Sequence, residues 1–225
     1  MSDDLRVYRK VCARVPTSAG EFQLCLYLNN KDDKEHLALV KGEIDDTDQP
    51  VLVRIHSECF TGDVLGSQRC DCGQQLHSAI EMISLAGRGL IIYLRQEGRG
   101  IGLLSKLRAY NLQDEGVDTV DANLLLGHKI DNRDYRIAVA ILQDMGINKV
   151  RLLTNNPEKI KALEAGGIKV VERIPLIPEV TKDNLAYLLT KAQRMNHLFK
   201  VEPVTEDEQT GDPGQVFGPV DSFYE

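Results

Sequence analysis

Apolar positions in the first quarter of the chain mostly follow strand periodicity; further on they recur at helical spacing. Residues 5–15 and 21–28 are rich in Val, Leu, Tyr and Phe, and Thr17-Ser18-Ala19-Gly20 splits them, which predicts two strands joined by a short turn. Residues 37–44 and 51–56 predict two more strands, with the polar stretch 45–49 between them. Leu76, Ile80, Ile83 and Leu85 then draw an apolar stripe along a helix that Gly87-Arg88-Gly89 ends. Residues 90–94 are a continuous apolar run of strand length, the mark of a buried strand. Leu103, Leu104, Leu107 and Tyr110 return to helical spacing, and residues 135–145 predict another helix, closed by Gly146. Residues 150–153 read as a strand, 158–164 as a helix, 168–171 as a strand and 184–199 as a last helix. A β-rich N-terminal part followed by alternating β and α predicts an α/β layered sheet.

Length and charge refine this picture. A chain of 225 residues suits one domain with an appendage, taken as residues 1–200 and 201–225. The net charge is -7, yet residues 201–225 hold seven acids and no Lys or Arg, so 27 acids balance 27 bases in the rest. That segment also carries three of the eight prolines, a composition expected to stay flexible. A neutral body without Trp offers little to a nucleic acid, in phosphate-binding charge or in stacking surface. No apolar run approaches the length that spans a bilayer, and Met1-Ser2-Asp3-Asp4 is unlike an export signal, so a cytoplasmic protein is expected.

The densest chemistry is Arg54-Ile55-His56-Ser57-Glu58-Cys59 followed by Cys70-Asp71-Cys72-Gly73, a C-x10-C-x-C spacing. Thiolates are strong zinc ligands, and three of them leave one tetrahedral position open, as in catalytic sites. A structural site completed by His56 or His77 is the alternative, and three reduced buried cysteines a further one. Cys12 and Cys25 lie in apolar strand segments and are expected to be small core residues. Arg95-Gln96-Glu97-Gly98-Arg99-Gly100-Ile101-Gly102 sits between a strand and a helix, where amides and guanidinium forks can receive an anion, or where the glycines merely turn the chain. In Thr154-Asn155-Asn156-Pro157, Asn156 is a good helix cap and Pro157 a good first helical residue, and with Lys159 the stretch could also hold phosphate. Asp131-Asn132-Arg133 offers either a helix cap or an ionised carboxylate able to accept a proton.

Together RIHSECFTGDVLGSQRCDCG (54–73), YLRQEGRGIGL (93–103), AYNLQDEGVDTVDAN (109–123), DNRDY (131–135) and RLLTNNPEKI (151–160) closely resemble the GTP cyclohydrolase II family. The resemblance runs over about residues 6–199 and has no counterpart for residues 201–225. It implies a mixed α/β fold, a homodimer, catalytic Zn2+ on Cys59, Cys70 and Cys72, and Mg2+ with the triphosphate. It also implies GTP contacts from Arg54, Ile55, His56, Ser57, Glu58, Gln75, Glu97, Gly98, Arg99, Thr119, Thr154 and Lys159. By the same resemblance, Asp131 is the proton acceptor, Arg133 the nucleophile at the α-phosphate and Tyr110 an active-site tyrosine. The implied reaction opens the imidazole ring of GTP and releases formate and pyrophosphate, leaving a diaminopyrimidinone ribosylamine phosphate for riboflavin synthesis. A divergent paralogue that stops at a formylated intermediate, or acts on a related purine, is the alternative.

Overall fold

The computed structural model describes residues 5–44, 49–128, 131–203 and 214–217. The start of the chain (1–4), residues 45–48 of the polar connection and residues 204–213 and 218–225 of the acidic segment lie outside the described residues.

Among the described residues, seven strands form one mixed sheet in the order β1-β2-β3-β5-β4-β6-β7. Strands β1 (Val7–Thr17), β2 (Gly20–Asn29), β3 (His36–Lys41) and β5 (Gly89–Leu94) pair antiparallel. Strands β5, β4 (Val51–Ser57), β6 (Lys149–Leu153) and β7 (Lys169–Ile174) pair parallel. The ladder of β1 carries a bulge between Arg9 and Val11.

Parallel neighbours need crossovers, and these place helices on both faces. Helix α2 (Cys72–Ala86) connects β4 to β5 and packs Ala79 and Ile83 against Leu52, Ile91 and Leu153 on one face. The opposite face buries Val53, Ile55, Leu90, Ile92 and Leu152 against Ile137, Ile141 and Leu142 of α5 (Arg136–Asp144), with Leu163 of α6 (Pro157–Ala165). Between β5 and α5 the chain makes a single 3₁₀ turn (Glu97–Gly100), α3 (Gly102–Asp114) and α4 (Thr119–Leu125). A four-residue helix, α1 (Phe60–Asp63), follows β4.

The expected helix over 184–199 is shorter: α7 spans Leu185–Arg194, and Asn196 (φ 52°) takes the left-handed conformation that stops a helix. Lys200–Pro203 then forms β8, paired antiparallel with β9 (Gly214–Phe217), so part of the acidic segment is extended. Cys12 and Cys25 are not two reduced core residues. They face each other in the β1–β2 register and form a disulfide, with Cys25 buried in the core and Cys12 exposed on the edge strand. No helix among the described residues is long and apolar enough to cross a membrane.

The central strands carry this architecture. Ile92 is fully buried between both neighbours of β5, so Ile92→Ala should cost roughly 2–5 kcal/mol. Urea unfolding should show this as a lower midpoint at an unchanged slope.

Candidate functional site

The carboxyl ends of β4, β5 and β6 are adjacent, and the connections to the two faces diverge there, which is where open α/β sheets bind ligands. After β4, Cys59 immediately precedes α1, and Cys70 and Cys72 flank Asp71 at the start of α2. The three sulfurs lie within 4.8 Å of one another, with Cys59 and Cys70 3.7 Å apart. Tetrahedral zinc with bonds of about 2.3 Å needs about 3.8 Å between sulfurs, so the set fits that ion. A Cβ on Gly62 would come within 3.1 Å of the Cys59 and Cys70 sulfurs, so the cluster needs glycine there. No histidine completes the cluster: His77 is exposed on α2, and His56 turns its Nε2 to Asp63, 3.0 Å away. All three cysteines line one cleft with Glu97, Arg99, Lys106 and Tyr110, which favours the open over the closed site.

Hydrogen bonds from the Cys70 and Cys72 thiols, helped by the Lys106 ammonium, hold the Cys59 thiol far below its usual range. The same sharing pushes Cys70 up to about 11. Lys106 donates to the Cys59 sulfur (3.1 Å), to Thr61 Oγ1 (2.9 Å) and to Glu97 Oε1 (2.8 Å). Burial opposes its charge, but Cys59 and Glu97 outweigh burial and keep it an ammonium. Tyr110 lies 3.4 Å from Thr61 Oγ1, and burial raises its pKa, so it keeps its proton. Asp63 accepts from His56, from the Cys59 amide (3.0 Å) and from the Tyr93 hydroxyl (2.8 Å), which fixes the turn into α1. Glu58 pairs with Arg95 at 3.0 Å and lines the cleft with Ser57.

The turn after β5 is not a plain receptacle for anions. The Glu97 carboxylate points inward and accepts from the Phe60 amide (2.6 Å) and the Gly98 amide (2.8 Å). Gly98 (φ 62°) and Arg99 (φ 60°) are both left-handed, a strained conformation for arginine. Both terminal nitrogens of Arg99 are buried without a partner among the described residues.

A second, polar cavity is lined by Arg54, His56, Thr154, Lys159, Arg133 and Lys191, among others. The buried Arg54 guanidinium donates to the Leu153 carbonyl (3.0 Å) and to Gln75 Oε1 (2.7 Å). Gln75 in turn donates to Asp71 (2.5 Å), whose other oxygen accepts from Lys191 (2.6 Å). Lys159 donates to the carbonyl of Ile55 (2.7 Å), while the Ile55 side chain lies in the core below. Neither Arg54 nor Lys159 has a carboxylate partner among the described residues. Burial brings Arg54 down to about 10. Burial, with the charges of Arg54, Arg133 and Lys191, brings Lys159 well below its ordinary value. Such a cavity favours an anion.

Asp131 does not cap α5. It grips Arg133 through Nε (2.9 Å) and Nη2 (2.5 Å), and Asp134 accepts the Arg136 amide instead. Burial works against the Asp131 charge, but Arg133 outweighs it and holds the carboxyl below its usual range. Asn156 does cap α6, accepting from the Glu158 amide at 2.9 Å, and Thr154 Oγ1 accepts the Asn156 amide at 3.0 Å. Thr119 is the first residue of α4, and its side chain lies outside what the structure describes.

The motifs did not nominate Lys106, Asp63, Asp71 or Lys191. A signal existed for two of them: Lys106 stands one helical turn before Tyr110, and Asp71 sits between two cysteines of the cluster. Asp63 and Lys191 left none.

Residues 8–175 match the family model described as GTP cyclohydrolase II. The chain is 54% identical over 195 residues to the riboflavin biosynthesis protein RibBA of Bacillus cytotoxicus, covering 87% of this chain and 49% of that protein. It is 55% identical over 193 residues to RibBA of Chlorobium phaeovibrioides, covering 86% and 47%. The chain thus spans about half the length of these curated relatives.

The cation cavity has a measurable consequence. A bound polyphosphate would raise the depressed Lys159 pKa again, so binding should be linked to proton uptake and weaken as pH rises. Calorimetry with inorganic pyrophosphate, in buffers of different ionisation enthalpy, should show an uptake that Lys159→Met removes. Equal proton counts for the two proteins would contradict it.

Proposed function

The chain belongs to the GTP cyclohydrolase II family, and we propose that it hydrolyses GTP, opening the imidazole ring and releasing formate and pyrophosphate as an early step toward riboflavin. The observation that carries this reading is the meeting of two unlike sites: a three-sulfur cluster open to a cleft, and beside it a cavity of buried cations, of which Arg54 and Lys159 have no carboxylate partner among the described residues. The first would hold a metal ion able to activate water, and the second would receive a triphosphate.

When bound at Cys59, Cys70 and Cys72, zinc supplies Lewis acidity and lowers the pKa of water toward neutrality. Around it the chain's own residues orient substrate and manage charge. Arg54, Lys159 and Thr154 receive phosphate oxygens, and His56, Ser57, Glu58 and Gln75 shape the wall between cleft and cavity. The Arg99 fork, with Glu97 and Gly98, faces the nucleotide from the other side, and Thr119 joins from α4. Tyr110, kept protonated, donates a hydrogen bond to a developing negative charge. Asp131 takes up protons.

Arg133 stabilises phosphate charge rather than attacking phosphorus. Burial opposes its charge, yet Tyr135 and Asp131 outweigh burial and raise its pKa above the usual value, and a nucleophilic guanidinium must first lose a proton. Mg2+ arrives with the triphosphate and balances its charge. We assign catalysis to residues 1–200, which contain every nominated residue, and a cytoplasmic location where GTP is at hand. We also propose a homodimer through α3 and α4, where Leu104 (65% exposed) and Leu125 (69%) stand with Leu103, Leu107 and Leu124. Sedimentation should find a dimer, and Leu104→Glu with Leu125→Glu should yield monomers.

Incubation with GTP and Mg2+ tests the activity. Formate and pyrophosphate should appear in equal amounts as the purine absorbance disappears. Pyrophosphate without formate would instead mark the arrested paralogue. Cys59→Ser should lose zinc and ring opening together, and Asp131→Asn should slow formate release by roughly 10²–10⁴-fold with zinc retained.

A further inference from the structure

Every residue nominated by the motifs precedes residue 160, and the family match ends at residue 175. Yet one wall shared by the cleft and the cavity is built later, by Tyr187 and Lys191 of α7 and by His197 just beyond it. Lys191 is only 7% exposed, and one of its three donors goes to Asp71, between the two cysteines of the C-x-C pair. Its charge reaches the rest of the cavity: with Arg54 and Arg133 it depresses Lys159, and with burial, Arg133 and Lys159 it brings His197 down to about 2.

The attachment of α7 is unusual for a wall. Its apolar support is a small cluster of Val180, Leu188 and Phe199, separate from both cores of the sheet. The remaining ties are polar. Thr190 donates to Asp118 (2.8 Å), and Arg194 pairs with Asp118 and with Asp121 (3.1 Å). The Leu198 amide donates to the Asn155 carbonyl (2.8 Å), within the loop that carries Thr154. Burying one more cation beside Arg54, Arg133 and Lys159 carries desolvation and mutual repulsion, which pairing with Asp71 reduces. An anion in the cavity would offset them.

We propose that α7 is a working wall of the nucleotide site and that Lys191 binds the phosphate chain of the substrate together with Lys159 and Arg133. This rests on the GTP reading above and extends the site beyond residues 8–175, which the family model matches. Lys191 then separates a nucleoside triphosphate from its nucleoside, because only the former offers it an acceptor.

The test measures binding to the zinc-loaded full chain without Mg2+, using GTP, inorganic pyrophosphate and guanosine as probes. Lys191→Ala should weaken GTP and pyrophosphate about tenfold or more and leave guanosine unchanged, while Lys191→Arg restores most of the loss. Zinc content and Tm report whether the fold is kept. Unchanged GTP and pyrophosphate affinity in a folded, zinc-loaded Lys191→Ala protein would overturn the proposal. Because that variant leaves Asp71 buried without its partner, exposed Arg194→Ala gives a second route. It should speed amide exchange over residues 185–199 and weaken GTP, and in the wild type GTP should slow that exchange. A loosened helix with undiminished GTP affinity would also overturn it. A wild type that binds neither GTP nor pyrophosphate would refute the GTP reading itself.

Discussion

A line of four buried side chains, Arg54–Gln75–Asp71–Lys191, holds the functional half of the molecule together. It begins on β4 at the centre of the sheet, crosses α2, passes between Cys70 and Cys72, and ends on α7. Each member satisfies the next, and removing one charged partner of a buried pair typically costs about 3–5 kcal/mol. The three-sulfur cluster and the cation-lined cavity therefore share one constraint. Asp71 cannot move to suit the cysteines without changing where Arg54 and Lys191 point. Gly62 adds the steric half, since it lets α1 lie against the sulfurs.

The overall charge of -7 gives no hint of this site. Seven acids beyond residue 200 set the total, while the ends of β4 and β6 gather cations whose carboxylate partners are fewer than the cations. Burial makes that imbalance costly in the free protein and favourable once a polyanion enters. What decides binding is the local desolvated field, which total charge does not report.

The parts of the fold and site legible in the sequence are those that local physics dictates. The cysteine cluster is legible because thiols at that spacing are the pattern of a metal site, and the structure brings the three sulfurs within 4.8 Å of one another. The α6 cap is legible because Asn156 reaches an amide only two residues on. The alternation of strands and helices follows from burial. Where two local solutions compete, the sequence leaves both open: Asp131 and Asp134 each precede an arginine by two residues, and only Asp134 takes the helix amide. Lys106 meets Cys59 across 47 positions, and Cys12 meets Cys25 only through strand register. The match with Asp71 brings α7 over the site from 120 positions away. Such contacts are products of topology, and no pattern within a single element announces them.

The outermost strand also bears on how the protein behaves at high concentration. β1 is eleven residues long, ends the sheet, and presents an open row of amides and carbonyls that another chain could extend. It carries Arg9, Lys10 and Arg14, a bulge between Arg9 and Val11, and Pro16, which has no amide proton to offer. Charge repulsion, broken register and a missing donor each discourage templated strand addition, so the exposed edge resists aggregation.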